Sequence, residues 1–243
     1  MSRKPEGIPS VIPHYIDGER VESVSGETFD VLDPVTNEAY TKAASGDKAD
    51  IDKAVAAANR AFHEGPWPRM KARARAKVLN RIADIVESRE DELAAMESFD
   101  SGLPITQARG QAQRAAENFR FFADLIVAQR DDTYNVPGMQ MNYVNRKPKG
   151  VAGLITPWNT PFMLESWKLG PSLASGCTVV LPLESPELLA DFFEPFLLAA
   201  PRTGTAPEAD ERSAEPYDRD RPTGSLGGEA PAAATLAVND QLN

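Results

Sequence analysis

The segment of this sequence best suited to chemistry is Ile155-Thr156-Pro157-Trp158-Asn159-Thr160-Pro161. A carboxamide and an indole between two prolines sit in a stiff turn, because each proline fixes its own φ and restricts the residue before it. The Asn159 amide offers a donor that can aim at an oxygen on which negative charge develops. Trp158 offers a flat apolar wall for a ring. The plainer alternative is that Trp158 anchors a core and Asn159 caps the helix that follows. Cys177 is the only cysteine, which excludes an intramolecular disulfide and any cysteine-cluster metal site. At the head of the apolar run 177–181 it reads as a small buried hydrophobe rather than a nucleophile. His14 and His63 lie on unrelated elements without metal-ligand spacing, so no metal site is expected. The basic run Arg69, Lys71, Arg73, Arg75 and Lys77 leads directly into Asp84, Glu87, Glu90 and Asp91, and reads as a solvated helix start rather than a phosphate-binding face.

The elements that must position these residues follow from spacing. Asp17-Gly18 between Tyr15-Ile16 and Arg20-Val21 predicts a tight hairpin, since both turn residues tolerate positive φ. A third strand, 28–32, stops at Asp33-Pro34. Three amphipathic helices are predicted next. The first, 47–63, carries Ile51, Ala54, Val55, Ala58 and Phe62 on one face, with Asp47 as N-cap. The second, 71–99, carries Val78, Leu79, Ile82, Ile85, Val86 and Leu93, with Gly102 and Pro104 as stop signals. The third, 105–130, carries Ala108, Ala112, Ala115, Phe119, Phe122 and Ile126. Alternation over 140–147 predicts a half-exposed strand. The apolar runs 151–155 and 177–181, joined by a helix over 161–175 that Gly176 ends, predict a βαβ unit with parallel strands.

Composition sets the outer limits. Of 243 residues, 42% are hydrophobic and 26% charged, the proportions of a globular chain. A net charge of −10 argues against nucleic acid or an anionic membrane as the main partner. No signal-peptide core or membrane span is read in the sequence, and a cytoplasmic location is expected. Residues 1–10 are expected to be flexible and 11–200 to carry the folding information. The tail 201–243 holds one aromatic residue, Tyr217, with five prolines and four basic residues against eight acidic ones. It is expected to be disordered, because so little apolar surface cannot offset its ordering entropy.

Read together, the motifs resemble the aldehyde dehydrogenase superfamily. The resemblance begins at His14-Tyr15-Ile16-Asp17-Gly18 and passes through Asp33-Pro34, Gly65-Pro66-Trp67 and the stretch from Ala115 to Ala123. It continues through Gly150-Val151-Ala152-Gly153 and Pro157-Trp158-Asn159, then Trp167-Lys168-Leu169-Gly170-Pro171 and onward to Val179-Val180-Leu181. The run from Thr160 to Lys168 looks most like enzymes that oxidise hydroxymuconic-type semialdehydes. The fold implied is α/β, the N-terminal portion of an aldehyde-dehydrogenase-like architecture: a strand hairpin, long helices and the start of a parallel Rossmann-like sheet. The activity implied is NAD(P)-dependent oxidation of an aldehyde or semialdehyde to the acid. In it a cysteine thiolate attacks the carbonyl, an Asn amide holds the oxyanion, hydride passes to nicotinamide and a Glu-activated water releases the product. By resemblance Asn159 is the oxyanion stabiliser, and Ile155, Thr156, Pro157 and Trp158 form the NAD or NADP cleft.

Departures from the family pattern carry equal weight. Where the family has Lys-Pro-x-Glu, this chain reads Leu181-Pro182-Leu183-Glu184; the Lys is absent, and Glu184 takes the Glu position only if one residue is deleted. Ser225-Leu226-Gly227-Gly228 faintly echoes a later family motif, with Ser225 where the general base belongs. No nucleophile Cys and no general-base Glu are identified, so the chain is expected to be a truncated member, inactive alone, with NAD binding weak or lost. The alternative is a non-catalytic fragment that binds nucleotide weakly or pairs with an intact relative, as homo- or hetero-oligomer, through the 140–147 strand.

Overall fold

The computed structural model describes residues 7–134, 138, 142–157, 159–183 and 234–237. The N-terminal strands are β1 (Val11–Ile12), β2 (His14–Ile16), β3 (Glu19–Val21), β4 (Thr28–Leu32) and β5 (Ala39–Ala44). The expected hairpin forms between β2 and β3, with Asp17 at φ 62° and Gly18 at φ 79°, the doubly positive turn that matches the strand twist. β4 has the bounds expected of it. Its partner β5 lies beyond the expectation: its Ala and Lys content gives little strand signal, and it is paired through the turn at Asp33, whose Oδ1 accepts from the Val35 amide at 2.7 Å. β1 adds to β5 in parallel to complete a three-stranded sheet.

Helix α1 (Lys48–His63) starts where the sequence places it. Asp47 caps the Ala49 and Asp50 amides while Asp50 returns a bond to the Asp47 amide, a reciprocal capping box. The single helix expected over 71–99 is two: α2 (Ala72–Ser88) and α3 (Glu90–Ser101), parted at Arg89 with φ −115° and ψ 19°. Neither Pro nor Gly marks the break. The signal is electrostatic, since Glu90, Asp91 and Glu92 form the first turn of α3, where acidic residues meet the positive end of a helix dipole. Gly102 closes α3 in the left-handed region, and α4 (Ile105–Ala128) follows.

Of the strand expected over 140–147, the described part is β7 (Asn142–Tyr143), paired antiparallel with β6 (Thr133–Tyr134); 144–149 has no regular structure. The expected βαβ unit is present. β8 (Val151–Gly153) and β9 (Thr178–Leu183) are parallel, joined by α5 (Pro161–Ala174). β8 is shorter than the apolar run 151–155 suggests, and Ile155 beyond it is 78% exposed. Within the tail, residues 234–237 form β10 (Ala234–Ala237), antiparallel to β9 and parallel to β2, giving a sheet in the order β3-β2-β10-β9-β8. The rest of 201–243, and 184–200 with Glu184, lie outside the described residues, as do residues 1–6.

β9 shows why this is an α/β arrangement. Val179 and Leu181 enter the core made with α2, α4 and α5, around Leu79, Ile82, Phe119, Leu169 and Leu173. Val180, between them, faces the opposite way against Ala54, Ala57 and Ala58 of α1. Period-two alternation thus buries both faces of the strand. Thr178 Oγ1 donates to the Ala58 carbonyl at 2.8 Å, fastening α1 to the sheet. On the other face α5 lies tight on α4: a Cβ at Gly170 would come within 2.6 Å of the Phe122 ring.

Candidate functional site

The carboxyl end of β8 opens into the turn that carries the residues singled out above. In an open α/β sheet this is where ligands bind, against the N-terminus of the next helix. Thr156 is 4% exposed and roots the turn, whereas Ile155, Pro157 and Asn159 are exposed. Trp158 lies outside the described residues. The N-cap of α5 is Thr160, not Asn159, and Thr160 makes no side-chain capping bond. The capping alternative for Asn159 is therefore not realised; its amide faces solvent without a partner among the described residues. An exposed amide in a turn rooted by a buried threonine can serve as a donor to an incoming oxygen.

Cys177 is placed elsewhere. Because Val151 pairs with Thr178 in a parallel register, Cys177 lies level with the start of β8, at the amino end of the sheet. The Asn159 turn leaves the carboxyl end. Cys177 is 8% exposed, with Ser175 Oγ 3.5 Å from its Sγ. The neighbouring Arg75 guanidinium is committed to backbone carbonyls, at 3.0 Å from Ala174 and in contact with that of Met70. The structure brings Ile155, Thr156, Pro157 and Asn159 together and keeps Cys177 apart from them.

Three buried polar groups escape the sequence reading. Asp50, fully buried, accepts from the amides of Val24 at 3.0 Å and Asp47 at 3.2 Å, and from Ser23 Oγ at 3.0 Å, with His14 Nε2 at 3.7 Å. Burial pushes its carboxyl up, but the Val24 and Asp47 amides, Ser23 and His14 together outweigh burial and hold it below the ordinary range. The facing His14 is pulled down, by burial first, against the opposing pull of Asp50 and Asp47. Glu97 and Glu165 are 2% and 1% exposed, and no oxygen of either completes a hydrogen bond among the described residues. Glu165 was detectable in principle: three residues after Phe162 and four before Leu169, it occupies the inward stripe of α5. Among the described residues no cluster of ligating side chains suited to a metal ion is found.

Comparison with known proteins agrees with this geometry. The aldehyde dehydrogenase family profile matches residues 21–190. The chain is 42% identical over 180 residues to aldehyde dehydrogenase 1 of Tanacetum cinerariifolium, covering 73% of this chain and 36% of that protein. It is 38% identical over 182 residues to 5-carboxymethyl-2-hydroxymuconate semialdehyde dehydrogenase of Escherichia coli, covering 74% and 38%. The crystal structure of PnpE in complex with nicotinamide adenine dinucleotide superposes with a TM-score of 0.72 at 39% identity, over 76% of this chain and 38% of that one. The chain thus spans less than two fifths of the length of these relatives. With the βαβ unit, the Asn159 turn and the matched profile in agreement, this chain belongs to the aldehyde dehydrogenase family.

Proposed function

We propose that this chain descends from an NAD(P)-dependent dehydrogenase acting on a hydroxymuconic-type semialdehyde, and that alone it does not complete the reaction. The carrying observation is Asn159, exposed in the turn after β8 while its neighbour Thr160 takes the helix cap. On this reading the Asn159 amide donates to the oxyanion that forms when a carbonyl is attacked. Ile155 and Pro157 supply an exposed apolar wall at the carboxyl end of a parallel strand, the place where an open α/β sheet takes a dinucleotide. A bound NAD or NADP would accept the hydride. The fit is partial: the Lys that grips the ribose is replaced within Leu181-Pro182-Leu183, so binding is weak. The semialdehyde class rests on likeness to named semialdehyde dehydrogenases. A cytoplasmic location is part of the same proposal; no helix among the described residues is long and apolar enough to cross a membrane. Purified chain with semialdehyde and NAD is expected to yield no NADH above the protein-free rate. Turnover that Asn159→Ala abolishes would overturn the reading.

A second reading, pairing with an intact relative, is favoured by exposed apolar side chains: Phe121 and Leu125 on α4, Trp167 on α5 and Tyr143 on β7. Where such groups form one contiguous patch, they mark a surface that associates. Mixed with a full-length semialdehyde dehydrogenase, the chain is then expected to co-elute with it on size exclusion, and separate elution at micromolar concentrations counts against pairing.

A further inference from the structure

The five-stranded sheet is joined at one seam. The hairpin β2–β3 and the parallel pair β8–β9 meet through β10, which runs parallel to β2 and antiparallel to β9. Both walls of that seam are prepared for a strand. The Val180 carbonyl accepts from the Leu154 amide at 2.9 Å, so the backbone polar groups of Val180 point toward β8. By alternation those of Leu181 and Leu183 point the other way, where Leu236 and Ala234 pair with them. Pro182, which has no N–H to give, falls between them at a position facing away from the seam. On the other wall Ile16 closes the hairpin with Glu19, which leaves the backbone groups of Tyr15 directed at β10. The faces are apolar too. Tyr15 and Leu181, which flank Leu236 in the register, belong to the main core, and Ile16 and Val180, which flank Ala237, belong to the cluster with the alanines of α1. A strand set there is covered on both sides and must carry no charge. The acidic tail meets that demand in its longest uncharged run, 230–239, between Glu229 and Asp240.

We propose that this seam is a strand-exchange site, and that its occupant, residues 234–237, passes between two copies of this chain. The ladder that holds the strand is local, but the strand is delivered from a distance, since residues 184–233 separate it from Leu183. A connection of about fifty residues reaches at most roughly 165 Å, ample for a neighbouring copy. In a reciprocal exchange each copy gives its strand and receives the other's. Both seams are then filled by the same residues in the same register, so the contacts of the dimer match those of two monomers. Concentration decides what remains. A tether of this length gives its own strand an effective concentration on the order of 0.1–1 mM. The chain therefore closes on itself at micromolar concentration and exchanges as it approaches millimolar. The exchanged dimer is a closed two-fold arrangement that uses up both strands and does not propagate. The exposed apolar side chains of α4, α5 and β7 take no part in it.

The test uses full-length chains. Val180 and Ala237 are directly paired without ladder bonds to one another, a pairing that sets Cα atoms about 4.5 Å apart, within the span of a disulfide. One chain carries Val180→Cys and a second carries Ala237→Cys, while the native Cys177 is buried. After brief treatment with oxidised glutathione, the mixture is expected to give a linked dimer at about 1 mM, and at least about a fivefold smaller share at about 10 µM. Leu236→Pro in the second chain is expected to remove the product, because proline cannot donate to the Leu181 carbonyl. A single chain carrying both cysteine substitutions is expected to close on itself at the lower concentration, and failure to close overturns the seam as the seat of this strand. Absence of linked dimer at the higher concentration overturns exchange, and a dimer that survives Leu236→Pro overturns the strand as its carrier. Should Val180→Cys fail to fold, sedimentation of the wild-type chain decides. A dimer share that rises toward 1 mM and falls when excess free peptide of residues 230–239 is added is expected. A chain monomeric throughout, or a dimer indifferent to the peptide, sinks the proposal.

Discussion

In the native chain Cys177 is expected to react with a thiol-alkylating reagent at least about a hundredfold more slowly than in the urea-unfolded chain, since access requires a local opening that costs a few kcal/mol. The reasons are positional. Cys177 is 8% exposed and precedes β9, a strand buried on both faces. A family nucleophile must lie where its thiolate can deliver an oxyanion to the Asn amide. The parallel register sets Cys177 level with the residue before Val151, whereas the Asn159 turn begins after Gly153. Four residues of extended chain separate the two levels, on the order of 13 Å, several times the reach of a hydrogen bond. Covalent catalysis needs both groups on one carbonyl. Mass spectrometry after timed alkylation reads the result; labelling as fast as in the unfolded chain would reopen the case for Cys177.

Asp50→Ala is expected to lose roughly 3 kcal/mol of stability, because it leaves the Val24 and Asp47 amides and the Ser23 hydroxyl facing a void beside His14. For a chain of this length that is a fall of roughly 6–12 °C in Tm. Asp50→Asn keeps one acceptor and is expected to lose less. A carboxyl held below its ordinary 3.8 contributes stability that is present above that value and lost as pH falls through the lower folded one. Acid titration followed by circular dichroism is thus expected to show an unfolding component below about pH 4 that Asp50→Asn lacks. A loss smaller than about 1 kcal/mol in Asp50→Ala would show the network to be dispensable.

What the sequence disclosed was local or motif-bound. Asp17-Gly18 specifies its hairpin through backbone preference alone, Asp47 announces α1, and the two apolar runs flanking a helix announce the parallel pair. The family resemblance reached Asn159 and its turn, and the structure removed the capping alternative. Three things were hidden because they depend on tertiary neighbours. The break at Arg89 has no helix-breaking residue. β5 owes its existence to β4 and β1 rather than to its own propensity. The enclosure of Glu97 in α3 and of Glu165 in α5 depends on the helices packed around them, which no periodicity encodes. Of the cofactor-cleft residues, Trp158 and Glu184 lie outside the described residues.

The bond from Thr178 to the Ala58 carbonyl spans 120 positions of sequence, and that separation dictates an order of events in time. A ribosome adding about 5–20 residues per second needs roughly 6–24 s to pass from one partner to the other. Throughout that interval the alanine face of α1 has emerged without β9 to cover it. The hairpin and the helices around Phe119 close over short loops and can form early, whereas the sheet that carries the Asn159 turn is assembled last.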